Sequence, residues 1–211
     1  VFNRIVGLGV LFAGIMIILL FAPEERVHLL KIPQTLPFLV FLMYMISVAN
    51  KATRAMFYNC DNSLLKHPFY RTPAAIIKNF NIRLRYVSRY NFYVAITICL
   101  GVLVLYIYGG GSPFDINILL YCLAILLLSF LFSVHYLFMY YVFQPYTSDL
   151  TVKNPFYGIM NGIVYMICYF CLQLGFANVM FVISTLAVTV IYTTIALVIV
   201  YLYSPKYFRV K

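Results

Sequence analysis

The sequence predicts an all-α integral membrane protein with six transmembrane helices, and three observations lead to this prediction. Hydrophobic residues make up 64% of the 211 residues and charged residues only 9%, whereas a soluble domain carries about 25% charged residues. Six apolar segments are long enough to cross a bilayer as helices, which takes about 20 residues each. The basic residues cluster on one side of these segments. A soluble fold, a disordered chain and a disulfide-stapled secreted module are thereby excluded.

The six predicted spans leave no room for a separate soluble domain, so residues 1–211 are predicted to form a single transmembrane domain. Each span is apolar on all sides, which is typical of membrane helices and not of the alternating strands of a barrel. The chain begins with Val1 rather than a methionine, and we expect an N-terminal piece to precede it. The predicted spans are residues 5–22, 36–55, 91–108, 116–143, 155–173 and 178–203.

Glycines, prolines and a capping residue define the ends of these spans. The run Gly-Gly-Gly-Ser-Pro at 109–113 ends the third span. Pro145 follows the fourth span, and Pro205 is predicted to end the sixth. Asn154 is a candidate N-cap for the fifth span, with Pro155 at the first helical position.

The basic residues predict the orientation of the chain, because cytoplasmic loops of membrane proteins are rich in lysine and arginine. With six spans and both termini in the cytoplasm, 13 of the 15 basic residues lie inside. Only Arg26 and Lys31 lie outside, beside Glu24 and Glu25. The inside set is Arg4, Lys51, Arg54, Lys66, Arg71, Lys78, Arg83, Arg85, Arg89, Lys153, Lys206, Arg209 and Lys211. We therefore expect a multi-pass protein of the plasma membrane.

The net charge of +10 is explained by this orientation and by contact with lipid headgroups. The basic residues do not belong to a soluble domain, and the sequence contains no nucleic-acid-binding motif. A nucleic-acid partner is therefore not expected.

The segment 56–90, between the second and third spans, is the only elaborated cytoplasmic segment, and its composition predicts two short helices. In the first, Asp61 or Asn62 would cap a turn that contains a Leu-Leu pair and stops at Pro68. The second would begin with Thr72 as its cap and Pro73 in its first turn. Asp61 is the only acid of the segment.

The second of these helices is predicted to be amphipathic, with its apolar residues within about 100° of one another on the helical wheel. The apolar residues are Ile76, Ile77, Phe80, Leu84 and Val87; the opposing cations are Lys78, Arg85 and Arg89; Ile82 and Arg83 do not fit the pattern. Such a helix either anchors on anionic lipid at the inner membrane surface, or leads into the third span, or forms part of a docking surface. The predicted caps and the Leu-Leu corner favour docking to a cytoplasmic partner.

The pattern acid–x–x–Leu–Leu–x–x–Pro–x–x–Arg resembles the cytoplasmic loop of ABC-2-type permeases, which are the membrane subunits of ATP-binding-cassette exporters. The matching residues are Asp61, Leu64, Leu65, Pro68 and Arg71, and the six-span layout extends the likeness to the whole chain. In that family the short helix between spans two and three is a coupling helix that sits in a cleft of the ATPase subunit. The resemblance implies that Leu64 and Leu65 are apolar anchors, with Lys66 and Arg71 as charges at the rim.

The sequence departs from the family pattern at its outer end. The family often has re-entrant helices between spans five and six, and residues 174–177 leave little room for them. The sixth span would have to be broken near residues 178–184 to accommodate one. The amphipathic helix that precedes span one in the family would lie before the present sequence.

The resemblance also implies which partners the chain needs. The chain has no Gly-x-x-x-x-Gly-Lys-Ser/Thr loop, so it is not expected to be an enzyme, and ATP and Mg²⁺ would be bound by a separate ATPase subunit. A second copy or a homologous permease would complete the transporter. Because the spans are nearly free of charge, the cargo is predicted to be hydrophobic or amphiphilic, such as a peptide or a lipid.

Polar residues within the spans are candidates for lining a translocation pathway: His135, Asn161, Tyr165 and Gln173. Hydrogen bonding between helices is the alternative interpretation for each of them. Gly158 and Gly162 form a GxxxG pattern that favours close packing of helices. Cys168 and Cys171 have no second ligand pair nearby, so no metal site is predicted.

Two other functions remain possible from the sequence. A non-transporting immunity or sensor subunit would share the same membrane layout. An intramembrane enzyme is less favoured, because the paired acids Glu24 and Glu25 lie in an outer loop at the wrong spacing, and His67 with Asp61 makes a weak catalytic pair.

Overall fold

A computed structural model shows a bundle of α-helices and describes residues 2–21, 23–146, 154–173 and 177–208. Five segments of this described part are long and apolar enough to cross a membrane, and a shorter apolar helix covers Asn3–Ile18. The prediction of an all-α membrane protein is confirmed, and the count of six spans stays a prediction. Val1, Lys153, Arg209, Lys211 and residues 174–176 lie outside the described residues.

The principal helices follow one another with short connections. They are α1 (Phe2–Phe21), α2 (Leu36–Ile46), α3 (Ala49–Met56), α4 (Asn62–Leu64), α5 (Pro73–Tyr108), α6 (Ile116–Phe143), α7 (Pro155–Phe170) and α8 (Asn178–Tyr207). Tighter helical turns cover Pro23–Thr35, Pro68–Arg71 and Cys171–Gln173, and a wider π-helical turn covers Phe57–Asp61.

The fourth and fifth predicted spans agree with the structure. Helix α6 covers the predicted range, and the next residue, Gln144, stops it with a positive φ of 38°. Helix α7 begins at Pro155, and the Asn154 side chain accepts a hydrogen bond from the Phe156 amide at 3.1 Å. The predicted cap is therefore confirmed.

The sixth predicted span begins at Asn178 as predicted and differs at its end. Helix α8 is continuous from Asn178, so the break near residues 178–184 that a re-entrant helix would need does not occur. It also continues through Pro205 to Tyr207, because the Ser204 carbonyl still accepts from the Phe208 amide at 2.8 Å. A proline so close to a helix end removes only one backbone bond, which the last turn tolerates.

The predicted amphipathic helix and the third span are one continuous helix, α5, of 36 residues. No glycine or proline interrupts residues 74–100, so nothing ends the helix before it enters the apolar region. At 1.5 Å per residue it is about 54 Å long. Its apolar face at Ile76, Phe80 and Val87 is buried inside the chain, so this helix does not lie flat on the membrane with that face in lipid.

The second predicted span is interrupted between α2 and α3, and Asn91 of α5 stabilises the interruption. The side-chain oxygen of Asn91, Oδ1, accepts a hydrogen bond from the Val48 backbone amide at 2.8 Å. Its side-chain nitrogen, Nδ2, donates to the hydroxyl of Ser133 of α6 at 2.8 Å and to the hydroxyl of Ser47 at 3.2 Å. Because a buried backbone donor needs a partner, Asn91 allows the break and joins three helices at one level.

The antiparallel pair α5 and α6 forms the centre of the bundle, and α8 packs along α6. At the outer end, Asp115 accepts from the Asn117 amide at 2.9 Å and thereby caps α6. Tyr106 donates to the same carboxylate at 2.6 Å, which lowers the pKa of Asp115. This contact fixes the turn between α5 and α6.

We expect replacement of Asn91→Leu to lower the free energy of unfolding in mild detergent by about 1–3 kcal/mol, because it leaves a buried amide without an acceptor. Thr97→Val is the matched control, since that hydroxyl bonds only to the carbonyl of Tyr93 in its own helix. An equal effect of the two substitutions would contradict the role of Asn91.

The predicted topology can be tested with one native and one introduced thiol. Cys60 is exposed on the predicted inner side, whereas Phe114 is 86% exposed on the predicted outer side. In intact cells, a membrane-impermeant maleimide should label a Cys60→Ser, Phe114→Cys variant and should spare the unmodified chain. Labelling of Cys60 without permeabilisation would refute the orientation.

Candidate functional site

The segment between α3 and α5 folds back on the bundle as a series of tight turns. Backbone bonds join Leu65 to Asp61 at 3.0 Å, His67 to Leu64 at 3.0 Å and Thr72 to Phe69 at 3.4 Å. Asp61 and Thr72 occupy N-cap positions and Pro73 begins α5, as predicted, but neither side chain makes a capping bond. The Thr72 hydroxyl instead donates back to the Phe69 carbonyl at 3.1 Å.

The Asp61 side chain is fully buried and forms an ion pair with Arg83 of α5. Both terminal nitrogens of Arg83 donate to the two carboxylate oxygens. Tyr140 of α6 donates to the same carboxylate, and Tyr70 donates to Asp61 Oδ1 at 3.2 Å. Arg83 also donates to the Tyr70 hydroxyl at 2.8 Å. The carboxylate thus has donors from three elements of the chain.

Aromatic side chains enclose this ion pair. The Arg83 guanidinium lies 5.7 Å from the centre of the Tyr141 ring. The Tyr141 ring stacks on Phe208 at 4.6 Å, and the Ser204 hydroxyl donates to the Tyr141 carbonyl at 3.1 Å. The end of α8 is thereby attached to the same cluster. Apolar enclosure strengthens the attraction between the two charges and makes an unpaired charge there costly.

We call this cluster the hub and define it as Asp61, Tyr70, Arg83, Tyr140 and Tyr141. Burial raises the pKa of Tyr70 to about 12, so its hydroxyl remains protonated and can donate at neutral pH. The hub connects the segment after α3 with α5, α6 and the end of α8. Its arrangement can transmit a displacement; the cluster presents no open space to a substrate.

Arg83 is a functional residue that the sequence interpretation missed, although a signal was present. It follows Ile76 by seven residues, which is about 20° short of two full helical turns. The cation therefore lies within the apolar face of the predicted helix. Asp61, the only acid of the segment, was its natural partner.

The residues predicted to dock a partner are divided between the interior and the surface. Leu65 is 2% exposed and Asp61 is buried, so the prediction that they belong to an exposed docking surface is wrong for this conformation. The physical reason is that the ion pair draws this turn onto α5. Leu64 and Arg71 are half-buried, and Lys66 and Pro68 are exposed.

The exposed part of the segment is the tip, which we define as residues 66–69. Phe69 is 66% exposed and contributes the largest apolar side chain there. The His67 ring stacks beside it at 5.8 Å.

The four predicted pathway residues do not come together. His135 is buried and its Nδ1 lies 2.8 Å from the Tyr192 hydroxyl of α8, as the interpretation of hydrogen bonding between helices expected. The Asn161 carbonyl accepts from Tyr44 of α2 at 3.1 Å. Tyr165 also faces α2, with its ring 5.6 Å from Phe41, and Gln173 is exposed. A pathway role for these residues stays a prediction.

Two other features of the structure bear on metal and ligand binding. In the described part of the chain, no group of three or more His, Cys, Asp or Glu residues could hold a metal ion. A narrow crevice beside Asn91 is lined by Met43, Ile46, Ser47, Val94, Ser129 and Phe132. It contains none of the predicted pathway residues.

Comparison with known proteins adds no relative. No protein-family model matches the chain, and no curated protein or solved structure is significantly similar to it. The function must therefore be inferred from the residues and their geometry.

We expect Arg83→Gln to lower the free energy of unfolding by about 3–5 kcal/mol, because it leaves the Asp61 carboxylate buried without its cation. The matched control is Arg85→Gln, an exposed arginine two residues along the same helix, which should change it by less than about 0.5 kcal/mol. The measurement is equilibrium unfolding in mild detergent.

The double variant Asp61→Asn, Arg83→Gln should recover part of the lost stability, since it removes both buried charges. If the two single substitutions were additive in the double variant, the side chains would not interact as a pair.

Proposed function

We propose that the chain is the membrane subunit of an ATP-driven exporter of the ABC-2 type, driven by a separate ATPase subunit. The observation that supports this most is the attachment of an exposed tip to the membrane helices through a buried ion pair. The sequence pattern from Asp61 to Arg71 supports the same function by its resemblance to a coupling helix.

The hub is suited to mechanical coupling because its contacts are rigid and span several helices. A push on the tip is received by Asp61 and Tyr70, which are bonded to Arg83 of α5. Since α5 continues without a break into the membrane, a rigid-body shift of the tip tilts the third span. Shifts of packed helices as rigid units are a common means of switching between conformations.

The tip predicts the chemistry of the ATPase surface that receives it. Lys66 and His67 flank the exposed Phe69, and no acid of the segment 56–90 reaches the surface because Asp61 is buried. A matching cleft would have an apolar floor for Phe69 and acidic groups at its rim. Leu64, half-buried beside the tip, would contribute at the edge of this contact.

A second permease copy would pack against the outer helices. Only 11% of the most apolar part of α7 is buried inside the chain. Gly158 and Gly162 of α7 have open space where a side chain would lie. Close approach of another helix at a GxxxG pattern is a recognised mode of association in membranes. A hydrophobic or amphiphilic cargo would cross between two such subunits.

Site-specific crosslinking tests the docking role. A photoreactive benzoylphenylalanine replaces Phe69, and the chain is expressed in its native host. We expect a crosslink to a chain that carries a Gly-x-x-x-x-Gly-Lys-Ser/Thr loop, identified by mass spectrometry. Phe114, which is even more exposed but lies on the predicted outer side, is the matched control position.

The substitution Phe69→Asp should abolish that association while the chain still inserts in the membrane. The measurement is co-purification of the ATPase with the variant, compared with Phe114→Asp. An adduct of equal yield from both positions, or no nucleotide-binding chain at position 69, would refute the proposal.

A further inference from the structure

One face of α5 is exposed along its whole length and changes character from one end of the helix to the other. Toward Tyr108 it presents aliphatic side chains, and toward Pro73 it presents cations, with tyrosines between them that alternate with the arginines over residues 85–90. The aliphatic residues are Ile96, Leu100, Val104 and Ile107; the tyrosines are Tyr86, Tyr90 and Tyr93; the cations are Lys78, Arg85 and Arg89. A change from aliphatic to mixed aromatic and basic side chains matches the passage from the apolar core to the headgroups of one bilayer leaflet.

The depth of the cations follows from the length of the helix. A bilayer core takes about 20 helical residues, and 20 residues counted back from Tyr108 end at Arg89. Arg85 lies about 6 Å further toward the cytoplasm at 1.5 Å per residue. Both arginines therefore lie at the level of the lipid phosphates, whereas the tip lies beyond them.

The two arginines are arranged to hold one anion between them. They are four residues apart on one helix face, which places their Cβ atoms about 5–6 Å from each other. Helical side chains lean toward the N-terminus, so both guanidinium groups extend away from the apolar core. The Arg89 guanidinium lies 5.8 Å from the centre of the Tyr86 ring, which orients it along the surface.

Among the residues that the structure describes, no acid pairs with Arg85 or Arg89. Arg83 forms the ion pair with Asp61, and the two other arginines form none. Arg83 points into the hub, whereas its neighbour Arg85 is exposed. Arg83 and Arg85, two residues apart on one helix, thus lie on different faces: Arg83 pairs with a buried acid, and Arg85 is exposed.

Cations of a second helix reach the same level. Asn91 bonds to Ser47 and Val48, which aligns the start of α3 with this part of α5. Lys51 and Arg54 are exposed and lie one to two turns beyond that point. The positive charge therefore forms a band around the bundle at one depth, as expected for a surface that contacts the inner leaflet.

We propose that Arg85 and Arg89, with Tyr86, Tyr90 and Tyr93, form a binding site for the headgroup of an anionic phospholipid of the inner leaflet. The phosphate lies between the two guanidinium groups, which donate charge-assisted hydrogen bonds to its oxygens. The Tyr90 and Tyr93 rings contact the glycerol region, Tyr86 orients the Arg89 guanidinium, and the acyl chains follow Ile96 and Leu100. The site does not depend on the proposed transport function.

The test measures binding of phosphatidylglycerol and phosphatidylcholine with identical acyl chains to the purified full chain in detergent, by native mass spectrometry. We expect the chain to prefer phosphatidylglycerol. The double variant Arg85→Gln, Arg89→Gln should lose about tenfold or more of that affinity, since each cation contributes about fivefold near an anionic surface. Its affinity for phosphatidylcholine should not change.

The matched control is Lys31→Gln, Lys66→Gln, which removes the same charge from two exposed positions away from the inner interface. It should keep the preference for phosphatidylglycerol. Soluble glycerol phosphate at tenfold excess should not displace the lipid, because it lacks the acyl chains. Circular dichroism should show the same helix content for all variants.

Several outcomes would overturn the proposal. An equal loss in both double variants would indicate a net-charge effect without a site. Displacement by glycerol phosphate would indicate a site for a soluble phosphate. If the arginine variant kept its lipid affinity but lost the crosslink to the ATPase, this face would bind protein rather than lipid.

Discussion

The buried Asp61–Arg83 ion pair is the interaction on which the structure of the segment between α3 and α5 depends. Two charges removed from water are stable only when their attraction and additional hydrogen bonds offset the loss of hydration. Here Tyr70 and Tyr140 donate to the carboxylate in addition to the guanidinium. Because these donors come from separate elements, the carboxylate is satisfied in only one arrangement of those elements.

The ion pair also explains how α5 can serve two environments. Its inner face contributes Phe80 and Arg83 to the cluster around the hub, and its outer face presents Arg85 and Arg89. In the arrangement that we propose, the helix is held by the hub on one side and by lipid headgroups on the other, and a displacement of the tip is transmitted into the apolar half of the helix.

The sequence predicts the membrane helices well because length and apolar composition alone decide which segments leave water. The end of α5 and the start of α7 were also predictable, since the glycine run and Asn154 act locally. The interruption between α2 and α3 was not, because it depends on a bond from Asn91, more than 40 residues away. Local propensity carries no information about such a partner.

The interpretation of the cytoplasmic segment failed for a similar reason. The local sequence predicts a capping side chain at Asp61, because acids often occupy that position, and an apolar anchor at Leu65, whereas both side chains are buried. Arg83, the residue that draws both inward, lies 22 residues further along the chain. A lone acid and a lone cation on an apolar face were the available signal, and together they predict a pair.

Hydrogen–deuterium exchange of the segment 57–72 tests most directly whether the hub holds the tip as part of the bundle. The amides of Leu65 and His67 are bonded within the segment at 3.0 Å. If the hub is rigid, the Leu65 and His67 amides exchange at rates close to those of the α5 amides around Phe80. In the Asp61→Asn variant, their exchange rates rise to those of an unstructured peptide. Rapid exchange of these two amides in the unmodified chain, with α5 still protected, would contradict the central claim.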